Sequence, residues 1–208
     1  MTEPTFVLHA AFKLNGSWTF KKVSGQLLAG HSRFGAYYAF STDTDLFGQP
    51  GGSIVPFMKL NAVWGQYDVH DQSVCWFIIA DDTEAGTDKA YSDLFDATLH
   101  GVNGCGGKGG WFRPVHWFGC TPWCNRHDVA YFNGGTETDR HIADWRLRSD
   151  LMHLADQLGT SRLKRIYYRT QAIIYYVAVR LAGWEFFSYD TPMPTNPFAR
   201  LWRILRGA

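Results

Sequence analysis

Cys124-Asn125-Arg126-His127-Asp128-Val129-Ala130-Tyr131 is the segment from which the C-terminal half of the chain can be read. On a helix, His127 and Tyr131 are four residues apart and share a face. Asp128 then projects about 100° away and can face a different ligand. Thr121 is a suitable N-cap and Pro122 a suitable first helical residue, so the spacing predicts a helix from about 121 to 131. Asn133-Gly134-Gly135 is a turn. A second helix is expected from about 137 to 157, with Ala143, Leu147, Leu151, Leu154 and Leu158 at helical spacing and Gly159 as its stop. A short connection favours an antiparallel pair of helices, and in such a pair Asp144 can lie opposite His127.

That juxtaposition carries chemistry. A buried carboxylate beside an imidazole fixes its tautomer and stabilises its protonated form, which equips the ring as a general base that activates water. Asp128 is then available for a cation. Residues 101–110 read Gly-Val-Asn-Gly-Cys-Gly-Gly-Lys-Gly-Gly, a loop with six glycines. Ca²⁺ takes about six to eight oxygen ligands, and carbonyls of a bent loop can supply several of them. The loop lacks Gly-Lys-Ser/Thr, so it does not read as a nucleotide-binding P-loop.

Downstream, a third helix is expected from about 162 to 183, with Ile166, Ile173, Val177 and Leu181 on one stripe. Arg169, Gln171 and Arg180 interrupt it, so it reads as a buried core helix and not as a membrane span. The tail holds Pro192, Pro194 and Pro197, then Phe198–Arg206 with Phe198, Leu201, Trp202 and Leu205 at helical spacing among arginines. It suits either a surface amphipathic helix or a docked terminal helix. Upstream, residues 5 to about 80 read as β-structure. The strand candidates are Thr5–Leu8, Ser17–Phe20, Phe34–Phe40, Ile54–Phe57 and Val74–Ile79, separated by turn signals such as Asn15-Gly16 and Pro50-Gly51-Gly52. A short helix is expected over 87–100, with Ala90, Leu94, Ala97 and Thr98 on one side. The fold class is therefore α+β. The expected division is a β-rich module of unknown role over 1–90, a helical unit carrying the site over 91–190, and a Pro-rich linker with a basic amphipathic tail over 191–208.

Composition sets the outer bounds. Of 208 residues, 46% are apolar and 19% charged, so a packed core is feasible and disorder is not expected. Twenty Lys and Arg face nineteen Asp and Glu, and a formal net charge of +1 argues against a nucleic-acid partner. No run approaches eighteen apolar residues, and the start Met1-Thr2-Glu3-Pro4, which lacks a basic stretch followed by an apolar one, leads to no expectation of a signal peptide. Four cysteines are too few for a disulfide-built scaffold, and three of them, Cys105, Cys120 and Cys124, cluster.

At the glycine-rich loop, the Cys-x-x-His-Asp-x-x-Tyr segment and the later helical Asp144, the chain resembles the secreted phospholipase A2 superfamily. The closest likeness is to its bacterial and fungal group and to the short version on parvovirus capsids, where the second Asp also follows an alanine and an acidic residue plus leucine comes soon after, like Asp150-Leu151. The resemblance spans about residues 101–184. It implies a calcium-dependent phospholipase A2 in which His127 takes a proton from the water that attacks the sn-2 ester of a phospholipid, Asp144 orients His127, and Tyr131 holds Asp144. It further implies that Asp128 binds Ca²⁺ with carbonyls of Gly104, Gly106 and Lys108, and that Cys105 and Cys124 form the disulfide that ties loop to helix. The loop is one residue longer than the family's usual Cys-Gly-x-Gly-Gly, which leaves Gly109 as an alternative to Lys108 as third ligand. Trp123 stands where many animal members carry a second cysteine. The family is usually exported, which leaves open delivery by a non-classical secretion route, a virion or lysis, and equally a cytosolic protein with reduced cysteines. A phage-associated family of unknown function is similar in His-Asp-x-x-Tyr, in the following Ala-Asp and in the ending Tyr175-Tyr176-Val177-Ala178-Val179-Arg180-Leu181-Ala182-Gly183, but it lacks the loop.

Other readings stay open at this stage. The chain could be a non-catalytic structural or interaction module of phage or virion type that keeps the helices. An acylhydrolase acting on another ester is a third option. Cys105, Cys120, Cys124 and His127 could form a structural zinc site. An HD-type phosphohydrolase would draw on His100 or His116. Trp111, Phe112, Trp117 and Phe118, with Trp123, form either core or an interfacial collar that settles on a bilayer, with Lys108 and Arg113 toward anionic headgroups. The N-terminal module could bind a protein partner or shape substrate access.

Overall fold

A computed structural model describes residues 6–14, 17–32, 35–42, 53–57, 60–102, 104–105 and 119–190. By contacts these fall in two units, residues 1–66 with 73–101, and residues 67–72 with 102–208. By contacts the first unit extends to Gly101, because the helix that precedes Gly101 packs on its sheet.

The first unit is a curled antiparallel sheet of β1 (Phe6–Leu14), β2 (Ser17–Ser32), β3 (Gly35–Thr42), β4 (Ser53–Phe57), β5 (Trp64–Tyr67) and β6 (Val74–Asp81), ordered β4-β3-β2-β1-β6-β5. β1 is central, with Leu8 opposite Val23 on β2 and Ile79 on β6. β2 runs further than its sequence pattern suggests because it serves two partners. Its first half, to Ser24, pairs with β1, and its second half, from Gly25, pairs with β3. Gly25 sits at that switch. A Cβ there would lie 2.2 Å from the Ser41 carbonyl oxygen and 2.6 Å from Phe40 Cε1, so only glycine permits this close approach.

Both faces of the central strands are covered. Leu8, Ala10, Val23, Phe40, Phe77 and Ile79 build one core. The alternate set Val7, His9, Ala11, Trp76, Ile78 and Ala80 is also buried. Over it lies α1 (Glu84–His100), which buries Ala90, Leu94 and Ala97. Double coverage explains why Val74–Ile79 is an unbroken apolar run. α1 starts at Glu84, ahead of the expected 87, because the Thr83 hydroxyl accepts from Gly86 N at 3.0 Å and caps it.

The second unit holds α2 (Thr121–Asn133), α3 (Glu137–Leu158), α4 (Arg162–Ala182) and a 3₁₀ turn at Gly183–Glu185. α2 ends at Gly134, whose φ of +70° and whose 1.8 Å gap from a Cβ position to the Ser188 carbonyl both require glycine. Thr136 then starts α3 with a capping box in which Asp139 bonds back to Thr136 N. α2 and α4 both pack on α3, and Leu147, Leu151, Ala172 and Tyr175 form a core with the three cysteines.

α4 corrects one expectation. It is not a buried core helix: Leu163 is 79% exposed and Leu181 74%, and Ile166, Ile173 and Val177 are exposed too. The opposite face, with Tyr168, Ala172, Tyr175 and Val179, turns inward. That choice brings Arg180 to two buried carboxylates and Tyr175 to Cys120, partners the aliphatic stripe cannot supply. Among the described residues no helix is long and apolar enough to cross a membrane.

Candidate active site

The short Gly134-Gly135 connection places α3 beside α2, and one turn of each carries the centre of the site. His127 and Tyr131, stacked on one face of α2, both reach Asp144 on α3. His127 Nε2 lies 2.9 Å from Asp144 Oδ1, and the Tyr131 hydroxyl donates to the same oxygen at 2.6 Å. Asp144 is fully buried and His127 is 8% exposed. With Asp144 ionised, Nε2 carries the hydrogen, and in a neutral ring Nδ1 keeps the lone pair. The imidazole and phenol rings are 4.1 Å apart, so Tyr131 also packs the ring that it helps to orient.

Asp144 has a second pair of donors that sequence reasoning missed. Arg180 Nη1 on α4 donates to Asp144 Oδ2 at 2.9 Å, and Arg140 Nη1, one turn earlier on α3, approaches it at 3.4 Å. Both arginines also hold Glu137. Arg140 meets it through Nε at 2.9 Å and Nη2 at 2.6 Å, Arg180 through Nη2 at 3.2 Å, and the Tyr189 hydroxyl adds a bond of 2.6 Å. Glu137, Arg140 and Asp144 have no exposed surface. Two carboxylates thus face two guanidinium groups in a dry cluster, which satisfies charges that would be prohibitive singly. The signal was available in the spacing Glu137-x-x-Arg140-x-x-x-Asp144, one helical face, but charged residues on a helix are read by default as solvated.

The electrostatics follow from those contacts. Burial pushes the Asp144 carboxyl up, but the bonds with His127, Tyr131 and Arg180 outweigh it and hold the group below the ordinary carboxylate range. Glu137 behaves alike: burial raises it, and the bonds with Arg140 and Tyr189 and the charges of Arg140 and Arg180 hold it below its ordinary value. Burial and the adjacent Asp144 charge drive the Tyr131 phenol strongly upward, so it stays a neutral donor.

His127 lines a cavity of about 250 Å³ with Trp123, Arg126, Ala130, Ala143, Arg146, Leu147 and Asp150. Arg126 pairs with Asp150 and lies 5.1 Å over the Trp123 ring. Burial, then the neighbouring Arg146, lowers the Arg126 pKa. The wall beside the imidazole therefore combines apolar side chains with two guanidinium groups and the Asp150 carboxylate.

Cys105 and Cys124 form a disulfide with Cα atoms 5.1 Å apart, which ties the glycine-rich loop to the first turns of α2. Asp128 is half-buried on α2. Asn125, three residues before it, falls on the same face, and its Nδ2 donates to the Tyr67 hydroxyl at 3.1 Å. Gly104 has a φ of +81°, and a Cβ on it would stand 3.9 Å from Asn125 Oδ1. The start of the loop and the Asn125 amide thus lie close together, with Asp128 about one helical turn further along α2. Gly106 and Lys108, with Gly109, lie outside the described residues, as do Trp111, Phe112, Trp117 and Phe118, His116, and the tail from 191.

Of the Cys₃His zinc reading, the structure brings together only the cysteines. The cysteine sulfurs do group together, without His127, which is committed to Asp144. His100, the other candidate for a metal set, belongs to the first unit and sits 3.7 Å from Asp96. No family model matches the chain, no curated protein matches it, and no solved structure matches it.

Proposed function

We propose that the chain is a calcium-dependent phospholipase A2 that hydrolyses the sn-2 acyl ester of phospholipids. The observation that carries the reading is the His127–Asp144–Tyr131 arrangement on two antiparallel helices, beside a cavity and one helical face away from Asp128. In this reading His127 Nδ1 accepts a proton from water, and the water oxygen attacks the ester carbonyl. Asp144 holds Nε2–H and balances the charge that forms on the ring, and Tyr131 fixes the carboxylate. Asp128, with carbonyls of Gly104, Gly106 and Lys108, would hold Ca²⁺, which when bound polarises the ester carbonyl and stabilises the negative charge developing on its oxygen. Arg146 on the cavity wall suits a phosphodiester headgroup, while Arg126 beside it is paired with Asp150.

The test is fatty-acid release from mixed phospholipid vesicles labelled at the sn-1 or sn-2 chain, with Ca²⁺ or with excess chelator. Calcium-dependent loss of the sn-2 chain is expected. Release of either chain alike, or release undiminished by chelator, would reject the proposal.

A second reading has its own support. Asp144 is held by Arg140 and Arg180 as well as by His127, so the same cluster could serve as the packed polar centre of a non-catalytic module, of phage or virion type, that kept the helices. A folded chain that releases nothing from several lipids and has no affinity for Ca²⁺ would favour it.

A further inference from the structure

The second unit contains a group of side chains that the lipase reading does not use in full. Cys120 Sγ lies 3.5 Å from Cys105 Sγ, and the sulfurs of Cys105, Cys120 and Cys124 all fall within 4.8 Å of one another. All three residues are buried, Cys120 completely. Cys105 and Cys124 are joined, which leaves Cys120 as a thiol pressed against their bond. One disulfide needs two cysteines, and the third is not explained by it.

We propose that reduction of the Cys105–Cys124 bond converts these three sulfurs into a trithiolate site for a soft d¹⁰ cation, Zn²⁺ or Cu⁺. A cellular dithiol supplies two electrons and two protons to the disulfide and is itself oxidised to a disulfide. The three thiols then release their protons to solvent as the cation binds. Metal–sulfur bonds of about 2.3 Å place three ligands on one ion roughly 3.8 Å apart, within the spread already present here. The surroundings fit the charge. Cys120 is the N-cap of α2 and Cys124 lies in its first turns, the positive end of the helix, and no acidic residue occupies that turn. The Tyr175 hydroxyl, 3.7 Å from Cys120 Sγ, can donate to a thiolate from outside the ligand set. Leu147, Leu151 and Ala172 keep the site dry. Soft thiolates select against Ca²⁺, so this site and the oxygen donors near Asp128 do not compete. The consequence is a loop pinned to α2 under either redox condition, by a covalent bond when oxidised and by a metal when reduced.

The test uses the full chain reduced with a phosphine, titrated with Co²⁺ as a spectroscopic probe, then with Zn²⁺, and separately with Cu⁺ against a chromophoric chelator. One Co²⁺ per chain with a near-ultraviolet thiolate charge-transfer band, displaced by Zn²⁺, or one chelator-resistant Cu⁺, is expected, and the oxidised chain should bind neither. Cys120→Ser should weaken binding beyond the roughly 10–100-fold typical of an outer-shell change, and Tyr175→Phe should stay within it. Absence of both signals in the reduced chain overturns the proposal, and so does equal binding by the oxidised chain or by a folded Cys120→Ser. Should Cys120→Ser not fold, the reduced and oxidised wild-type chains decide the question.

Discussion

Asp144 receives four side-chain donors, and their removal should separate orientation from stability. Asp144→Asn leaves Arg140 and Arg180 facing a neutral amide in a buried site, so the second unit should lose about 3–5 kcal/mol in urea titrations, and with it the proposed hydrolysis. Tyr131→Phe deletes one charge-assisted bond and should cost about 1.5–3 kcal/mol while leaving His127 and both arginines on the carboxylate. Its turnover should fall far less than that of a His127 variant. Equal stability for wild type and Asp144→Asn would show that the cluster does not hold the helices together. Acid should act on the same residues. Asp144 and Glu137 have folded pKa values below their ordinary ones, so the folded state binds fewer protons than the unfolded state as pH drops. The stability they contribute is present above about pH 4, the ordinary carboxylate value, and is lost as pH falls through the depressed folded values. Urea midpoints of the second unit measured from pH 6 downward should therefore hold and then decline below about pH 4.

At the scale of elements, one residue in the first unit titrates in a different range. His9, in the middle of β1, is fully buried with neither ring nitrogen hydrogen-bonded. Tyr91 of α1 meets its ring edge-on at 5.3 Å, and Lys22 of β2, paired with Asp82, supplies the nearest charges. Burial, then Lys22, lowers its pKa, with Asp82 opposing. A histidine lowered on folding contributes stability that is complete above its unfolded value of about 6.5 and drains away as pH falls below it. His9→Phe should remove that acid sensitivity from the sheet while leaving the carboxylate transition of the other unit in place, as amide hydrogen exchange on β1 and β6 can report. Gly25→Val should be worse tolerated than any surface change on β2, by about 1–3 kcal/mol of overpacking against Ser41 and Phe40. These elements also show what the sequence disclosed. α2, α3 and their antiparallel turn were legible because Thr121-Pro122, Asn133-Gly134-Gly135 and the Leu147-Leu151 spacing are local signals. β5 has four residues and no alternation long enough to register. The inward face of α4 is not legible in its aliphatic stripe, because the partners it meets, Asp144 and Glu137 for Arg180 and Cys120 for Tyr175, lie far away in the sequence. Arg140 and Glu137 were passed over for the same reason: burial of a charge is visible only once its partners are placed.

At the scale of the whole molecule, the two units have separate cores. Reducing Cys105–Cys124 should lower the stability of the second unit by about 3 kcal/mol, the entropy of a loop of this length, and leave the sheet unaffected. Unfolding followed with and without reductant, read separately through exchange of β1 and α3 amides, checks this. The measurement that bears most directly on the account is the turnover of His127→Ala beside wild type, on calcium-loaded vesicles, with circular dichroism confirming that both chains are folded. A general base contributes about 10²–10⁴ in rate. A loss of that size with the helices intact is expected, and a folded His127→Ala chain that releases fatty acid as fast as wild type would contradict the proposed role of His127.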